Sequence, residues 1–233
     1  MNHPNHPDTH TGYPDIYLIR HTTPAVAKGI CYGQTDLDTT DTLHDEAAII
    51  RQHLPENIRT IHSSPLRRCT QLANLLFPNR PITHQDELME IHCGEWEMKS
   101  WDELPKEEID PWMKDFVNVR IPGGERYLDL HARVTRCFEE IHTAAQPHAA
   151  TSPQRTVPLA LVAHGGVIRS ILSYITNTPL IDSFKVFALH YGCVIRISGG
   201  PGSWQYEILS NLAPAEKEQH KPRSFYEGNK DLS

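Results

Sequence analysis

The sequence predicts an α/β fold, a mainly parallel sheet flanked by helices on both faces, and three stretches carry that prediction. Residues 16–20, Ile-Tyr-Leu-Ile-Arg, are a short apolar run that stops in Arg20-His21 and a turn closed by Pro24. Residues 59–63 lead into Ser64-Pro65 and then a segment of helical periodicity. Residues 158–163, Pro-Leu-Ala-Leu-Val-Ala, are unbroken apolar and end in His164-Gly165-Gly166 before another helical segment. Unbroken apolar strands are the mark of a parallel sheet buried on both faces, and a helix following each strand is the repeating unit of such a fold.

Composition sets the limits. A chain of 233 residues with 39% hydrophobic and 22% charged residues can build a sizeable core, and no apolar run approaches the roughly 20 residues needed to cross a bilayer. The formal charge of −7 argues against a nucleic acid or an anionic membrane held over a broad face, so an anionic ligand must be met by a local cluster of cations. Five cysteines stand singly, without C-x-x-C spacing, which fits a reducing compartment, and the first residues show no secretory pattern. The cytoplasm is the expected location. Residues 1–12 read as a disordered tail, 13–213 as one domain and 214–233 as a mobile tail.

In order, His3, His6 and His10 lie among Pro, Asn and Asp with nothing apolar to anchor them, so no packed shell would orient a metal there. The first strand places Arg20 and His21 at one edge of the sheet, where α/β folds keep their ligands. Gly29 to Asp36 follow as a loop whose two glycines permit close backbone approach, either to a ligand or simply as a connector. Residues 42–54 read as a helix with Asp41 or Thr42 as cap and Leu43, Ala47, Ile50 and Leu54 on one face.

After the second strand, Ser64 reads as N-cap and Pro65 as the first helical residue. Periodicity then separates two adjacent arginines. Arg67 shares the row of Gln71 and Asn74 and should face water, whereas Arg68 shares the row of Leu72 and Leu75 and should point inward, where a guanidinium is costly unless an anion meets it. Residues 86–104 are acidic and aromatic together; Glu90 lies between Met89 and Ile91 ahead of the Gly94 turn, and Trp96, Trp101 and Trp112 either line a pocket or pack as a lid. The turn at 121–125 opens a long helix with Tyr127, Leu130, Val134, Phe138 and Ile141 at helical spacing, suited to covering the sheet. Residues 146–158 read as a surface loop. His164 then sits at a strand end and a helix start, a usual place for phosphate. Residues 193–198 and 204–209 read as a final pair of strands joined by Gly-Gly-Pro-Gly.

Five motifs in order, Leu-Ile-Arg20-His21, Ser63-Ser64-Pro65-Leu66-Arg67-Arg68, Leu88-Met89-Glu90 with Gly94-Glu95-Trp96-Glu97, Pro122-Gly123-Gly124-Glu125 and Val162-Ala163-His164-Gly165-Gly166, resemble the histidine phosphatase superfamily. The branch in view contains phosphoglycerate mutases and α-ribazole phosphatases, and the Arg-His-Thr-Thr-Pro opening with Cys31-Tyr32-Gly33-Gln34-Thr35-Asp36 is most similar to the latter, enzymes of the cobalamin pathway. The resemblance implies a phosphoglycerate mutase-like fold with a partial cap over residues 86–125, a small phosphorylated metabolite as partner, and neither metal nor cofactor. It implies His21 as nucleophile, Glu90 as proton donor, and Arg20, Arg68, His164 and Gly165 around the phosphate, with His164 also catalytic. Thr22, Thr23, Tyr32, Gly33 and Gln34 are the implied substrate contacts. Thr22-Thr23 replace the common Gly-Glu after the nucleophile, so their hydroxyls are expected to serve in its place. A mutase, a broad small-molecule phosphatase and an idle phosphate-binding scaffold stay open beside a dedicated phosphatase.

Overall fold

The computed structural model describes residues 12–146, 156–213 and 221–222. The expectations for residues 1–11, for most of the 146–158 loop and for most of the tail after residue 213 lie outside them. Among the described residues, six strands form one sheet in the order β3-β2-β4-β1-β5-β6. These are β1 (Ile16–Arg20), β2 (Thr60–Ser63), β3 (Thr83–His84), β4 (Leu159–Ala163), β5 (Val194–Ser198) and β6 (Gln205–Ser210). β1, β2, β3 and β4 run parallel, while β5 and β6 close the other side antiparallel. The sheet is mixed and mostly parallel, as expected.

Alternation along the central strands builds two cores. Ile16 and Leu18 of β1 with Leu159 and Leu161 of β4 pack on α4 (Tyr127–Ala144) and α5 (Gly165–Thr176), through Leu130, Val134, Phe138, Ile168 and Ile171. Tyr17 and Ile19 with Ala160 and Val162 face the other way, onto α1 (Leu43–Arg51) and α2 (Arg67–Leu76), through Ala47, Ile50, Leu72 and Leu76. All five residues of β1 and of β4 are buried, the reason both read as unbroken apolar runs.

Three boundaries depart from the sequence reading. α1 stops at Arg51, because Leu54 precedes Pro55 and the residue before a proline is pushed out of helical geometry. α2 starts at Arg67 instead of at Ser64-Pro65. Leu66 is extended, the Ser64 hydroxyl serves His164, and the Asp36 carboxylate accepts from the Arg67 N–H at 2.6 Å. β3 is only two residues long and left no periodic signal. The cap region is three single turns of 3₁₀ helix at 86–88, 94–96 and 101–103, followed by α3 (Lys106–Lys114) and the short α6 (Ser183–Val186) across from it.

Candidate active site

β1 delivers Arg20 and His21 between two neighbours. The Arg20 N–H donates to Cys193 O and the His21 N–H to Ala163 O, both at 3.0 Å, so each backbone is fixed where the side chains emerge. The His21 Nδ1 lies 2.7 Å from Thr22 O. A carbonyl only accepts, so Nδ1 carries the proton and the lone pair sits on Nε2. His164 packs edge-on against His21, ring centres 5.1 Å apart. Burial first, then the Arg68 guanidinium, His21 and Arg20, hold the His164 imidazole well below its ordinary value, and the neutral ring accepts from Arg68 Nε and bonds Ser64 Oγ at 2.8 Å.

The periodicity argument for the two arginines holds. Arg68 is fully buried and donates to Gly33 O (2.6 Å), Thr35 O (2.8 Å) and His164 Nδ1 (3.3 Å). Three of its five N–H donors are thus engaged within the protein. Arg67 is half exposed and pairs with Asp38. Arg68→Ala is expected to lower kcat/KM on p-nitrophenyl phosphate by roughly 10–150-fold, the loss of a charge-assisted contact of about 1.5–3 kcal/mol, and Arg67→Ala to change it less than about twofold. Equal losses at the two positions would contradict the placement.

Glu90 reaches the site from the cap. Its Oε2 accepts from the Gly166 N–H in the first turn of α5 (3.0 Å) and its Oε1 from the Ile91 N–H (2.9 Å). A Cβ on residue 166 would lie 2.3 Å from that Oε1, so only glycine admits the carboxylate there. The backbone under Glu90 is held by Arg133 of α4, which donates to the carbonyls of Glu87 (2.6 Å), Met89 (2.8 Å) and Glu90 (2.9 Å) and pairs with Glu125 at 2.9 Å. Against the cost of burial, the Arg133 guanidinium and the His92 N–H hold the Glu125 carboxyl below its ordinary value.

A cleft opens beside these groups. Arg20, His21, Glu90 and Gly165 line it together with Trp101, Trp112, Phe116, Tyr127 and Phe184. Trp101 and Trp112 stack with ring centres 5.8 Å apart, while Trp96 is wholly buried behind them and holds Glu108 through its indole N–H at 2.7 Å. Of the three tryptophans, two therefore line the pocket and one is packing. Arg169 also faces the cleft; its Nε donates to Phe187 O at 3.1 Å and its guanidinium lies 4.4 Å over the Phe184 ring. From the tail, Lys221 is buried against Phe116 and Phe184, where desolvation brings its ammonium down to about 8.

The other expected contacts separate. Tyr32 lines the cleft. Gly33 and Gln34 support it instead: Gly33 O receives Arg68, and the Gln34 amide donates to Glu90 O at 3.0 Å. Their loop is clamped by Glu97, whose carboxylate accepts the N–H groups of Gly33, Gln34, Thr35 and Cys93 and the Thr35 hydroxyl; against the cost of burial, the hydroxyl and then the Gly33, Gln34 and Cys93 amides hold it below its ordinary value. The Thr22 hydroxyl is buried beside His21 without a hydrogen-bond partner among the described residues. Thr23 is not brought to the site; it lines a separate cavity with Glu46, Ile49 and Leu212.

Sequence reasoning missed Arg133, Glu97, Arg169 and Tyr191. Arg133 had a signal, since it shares its helical row with Leu130, Cys137 and Ile141, all buried. Tyr191 had none, standing in an irregular segment ahead of β5.

A histidine and an arginine at a strand end, a second buried arginine and imidazole beside them, and a carboxylate across the cleft define a hydrolase of phosphate esters. The chain belongs to the histidine phosphatase superfamily (branch 1), whose family model matches residues 16–212. It is 25% identical over 213 residues to an adenosylcobalamin/alpha-ribazole phosphatase of Salmonella typhimurium, covering 89% of this chain and 94% of that one. It is 31% identical over 171 residues to a broad-specificity phosphatase of Saccharomyces cerevisiae, 69% of each chain. The alpha-ribazole phosphatase of Shigella flexneri superposes with a TM-score of 0.74 at 20% identity, over 87% of this chain and all of that one, and shows the shared fold.

Proposed function

We propose that the protein hydrolyses a small phosphomonoester through a phosphohistidine on His21, with α-ribazole 5′-phosphate of the cobalamin pathway as substrate. The observation that carries the reading is the aromatic lining, Trp101, Trp112, Phe116, Tyr127 and Phe184, of the same cleft that His21 and Glu90 line. It offers flat apolar faces to a planar, weakly charged leaving group.

In the first step His21 Nε2 forms a bond to phosphorus, the phosphorus–oxygen ester bond breaks, and Glu90 gives its proton to the departing alcohol. In the second, water attacks the phosphohistidine, Glu90 takes the water's proton, and inorganic phosphate leaves as the N–P bond breaks. Arg20, Arg68 and the N-terminal turn of α5 at Gly165 neutralise the phosphoryl oxygens that would otherwise repel the nucleophile, with His164 behind them and the Thr22 hydroxyl as a further donor. Five free cysteines, all buried, suit a reducing cytoplasm.

Arg169 favours a second reading, hydrolysis of an ester whose leaving group carries an acid. A buried guanidinium along the cleft calls for a counter-charge that a neutral nucleoside does not supply. A substrate panel decides between them. The expected order is α-ribazole 5′-phosphate well above 3-phosphoglycerate in kcat/KM, with hydrolysis outrunning phosphoryl exchange when bisphosphoglycerate is present, and undiminished activity in EDTA. Preference for 3-phosphoglycerate would replace the first reading by the second, and exchange outrunning hydrolysis would replace both by a mutase.

A further inference from the structure

Two tyrosines that approach the site from segments far apart in the chain meet above it. The Tyr32 and Tyr191 hydroxyls lie 2.5 Å apart, one donating to the other. Each ring is also the floor for one arginine: the Arg20 guanidinium carbon lies 4.1 Å from the centre of the Tyr191 ring, and that of Arg68 lies 5.4 Å from the centre of the Tyr32 ring. The Tyr191 ring is tilted against His21 at 5.5 Å.

Both rings arrive on fixed backbone. The Tyr191 segment is pinned to the end of β1, since the Gly192 N–H donates to His21 O at 3.1 Å and Arg20 Nη1 to Leu189 O at 2.7 Å. Tyr32 sits between Cys31, whose backbone exchanges hydrogen bonds with Lys99 and Met98, and Gly33, held by Glu97. Burial raises the Tyr32 phenol well above its ordinary value, so it stays a neutral hydroxyl able to hold the bridge.

We propose that Tyr32 and Tyr191 are paired positioning residues: their hydroxyl bridge ties together the two ring faces on which Arg68 and Arg20 rest, setting the spacing of the guanidiniums before phosphate arrives. An anion site made of two mutually repelling cations gains affinity when their geometry is fixed in advance. The inference rests on reading Arg20 and Arg68 as phosphate ligands and goes beyond it by naming what holds them in register.

Tyr→Phe keeps each ring face and removes the bridge, so the test is a double-mutant cycle on Tyr32→Phe and Tyr191→Phe. The readout is the dissociation constant for inorganic phosphate by calorimetry, with Tm as control. Each single variant is expected to bind phosphate about 3–10-fold more weakly with Tm essentially unchanged, and the double variant no more than about twofold weaker than either single, because all three lack the same bond. Losses that multiply in the double variant, or single variants that bind phosphate as wild type does, would overturn the pairing. Phosphate binding is read without turnover, so a wild-type protein that binds phosphate yet hydrolyses no ester would count against the proposed function and leave the cycle intact. Wild-type protein that binds no phosphate would overturn the clamp itself.

Discussion

His21→Ala is expected to lower kcat/KM by about 10⁴-fold or more, because under the proposed mechanism it removes the atom that bonds to phosphorus and leaves only the cationic pocket around the substrate. The geometry specifies more than a loss. With Nδ1 donating to Thr22 O, the phosphoryl group must form on Nε2, so rapid quench with labelled substrate should trap an acid-labile, base-stable phosphoenzyme. His164→Ala should not behave in the same way. Its two nitrogens are engaged with Arg68 and Ser64, so its removal loosens the Arg68 clamp and weakens substrate binding while a phosphoenzyme still forms. Absence of a trapped species in the wild type, or normal turnover by His21→Ala, would refute covalent catalysis.

Glu90→Gln carries the second large effect, and its size should depend on the leaving group. An alkyl alcohol departs poorly without a proton, so the loss is expected to be about 10²–10⁴-fold on alkyl phosphates. Nitrophenolate needs no proton, and the loss on p-nitrophenyl phosphate should be much smaller. The substitution keeps an oxygen for the Gly166 or the Ile91 N–H, so gross rearrangement is not expected. A uniform loss on both substrates would assign Glu90 to positioning the first turn of α5. Arg133 offers a cross-check: it holds three carbonyls around Glu90, so its loss should reproduce the leaving-group dependence in weaker form.

What the sequence made legible follows from which forces are local. The strands ending in His21 and His164 were readable because burial on both faces demands unbroken apolar runs, and Arg68 was told from Arg67 because helical rows are a local property. The same rule would have found Arg133. Other features depend on groups that meet only after folding. The Ser64-Pro65 helix start was displaced because Asp36 supplies the cap from another loop and His164 takes the Ser64 hydroxyl. Glu97 was hidden in a run of acids, since nothing in that run tells a carboxylate that clamps four amides from one that faces water. Thr23 was grouped with Thr22 by adjacency, yet successive residues leaving a strand point to different sides.

The strand order has a consequence for how the protein is made. β1 lies at the centre of the sheet, yet Ile16 pairs with Leu159 and its other flank with β5, so both partners are encoded late in the chain. β2 likewise leans on β4, with only the two-residue β3 on its other side. At translation speeds of about 5–20 residues per second, the apolar strand that leads into His21 waits on the order of 10 s for its first neighbour. A nascent chain halted before residue 159 has both early strands and no sheet for them to join. Such a fragment exposes Leu18 and Ile19 as an unpaired edge, a form prone to pairing with other chains. Stop codons or ribosome stalling upstream of β4 are therefore expected to yield insoluble products and no partial activity.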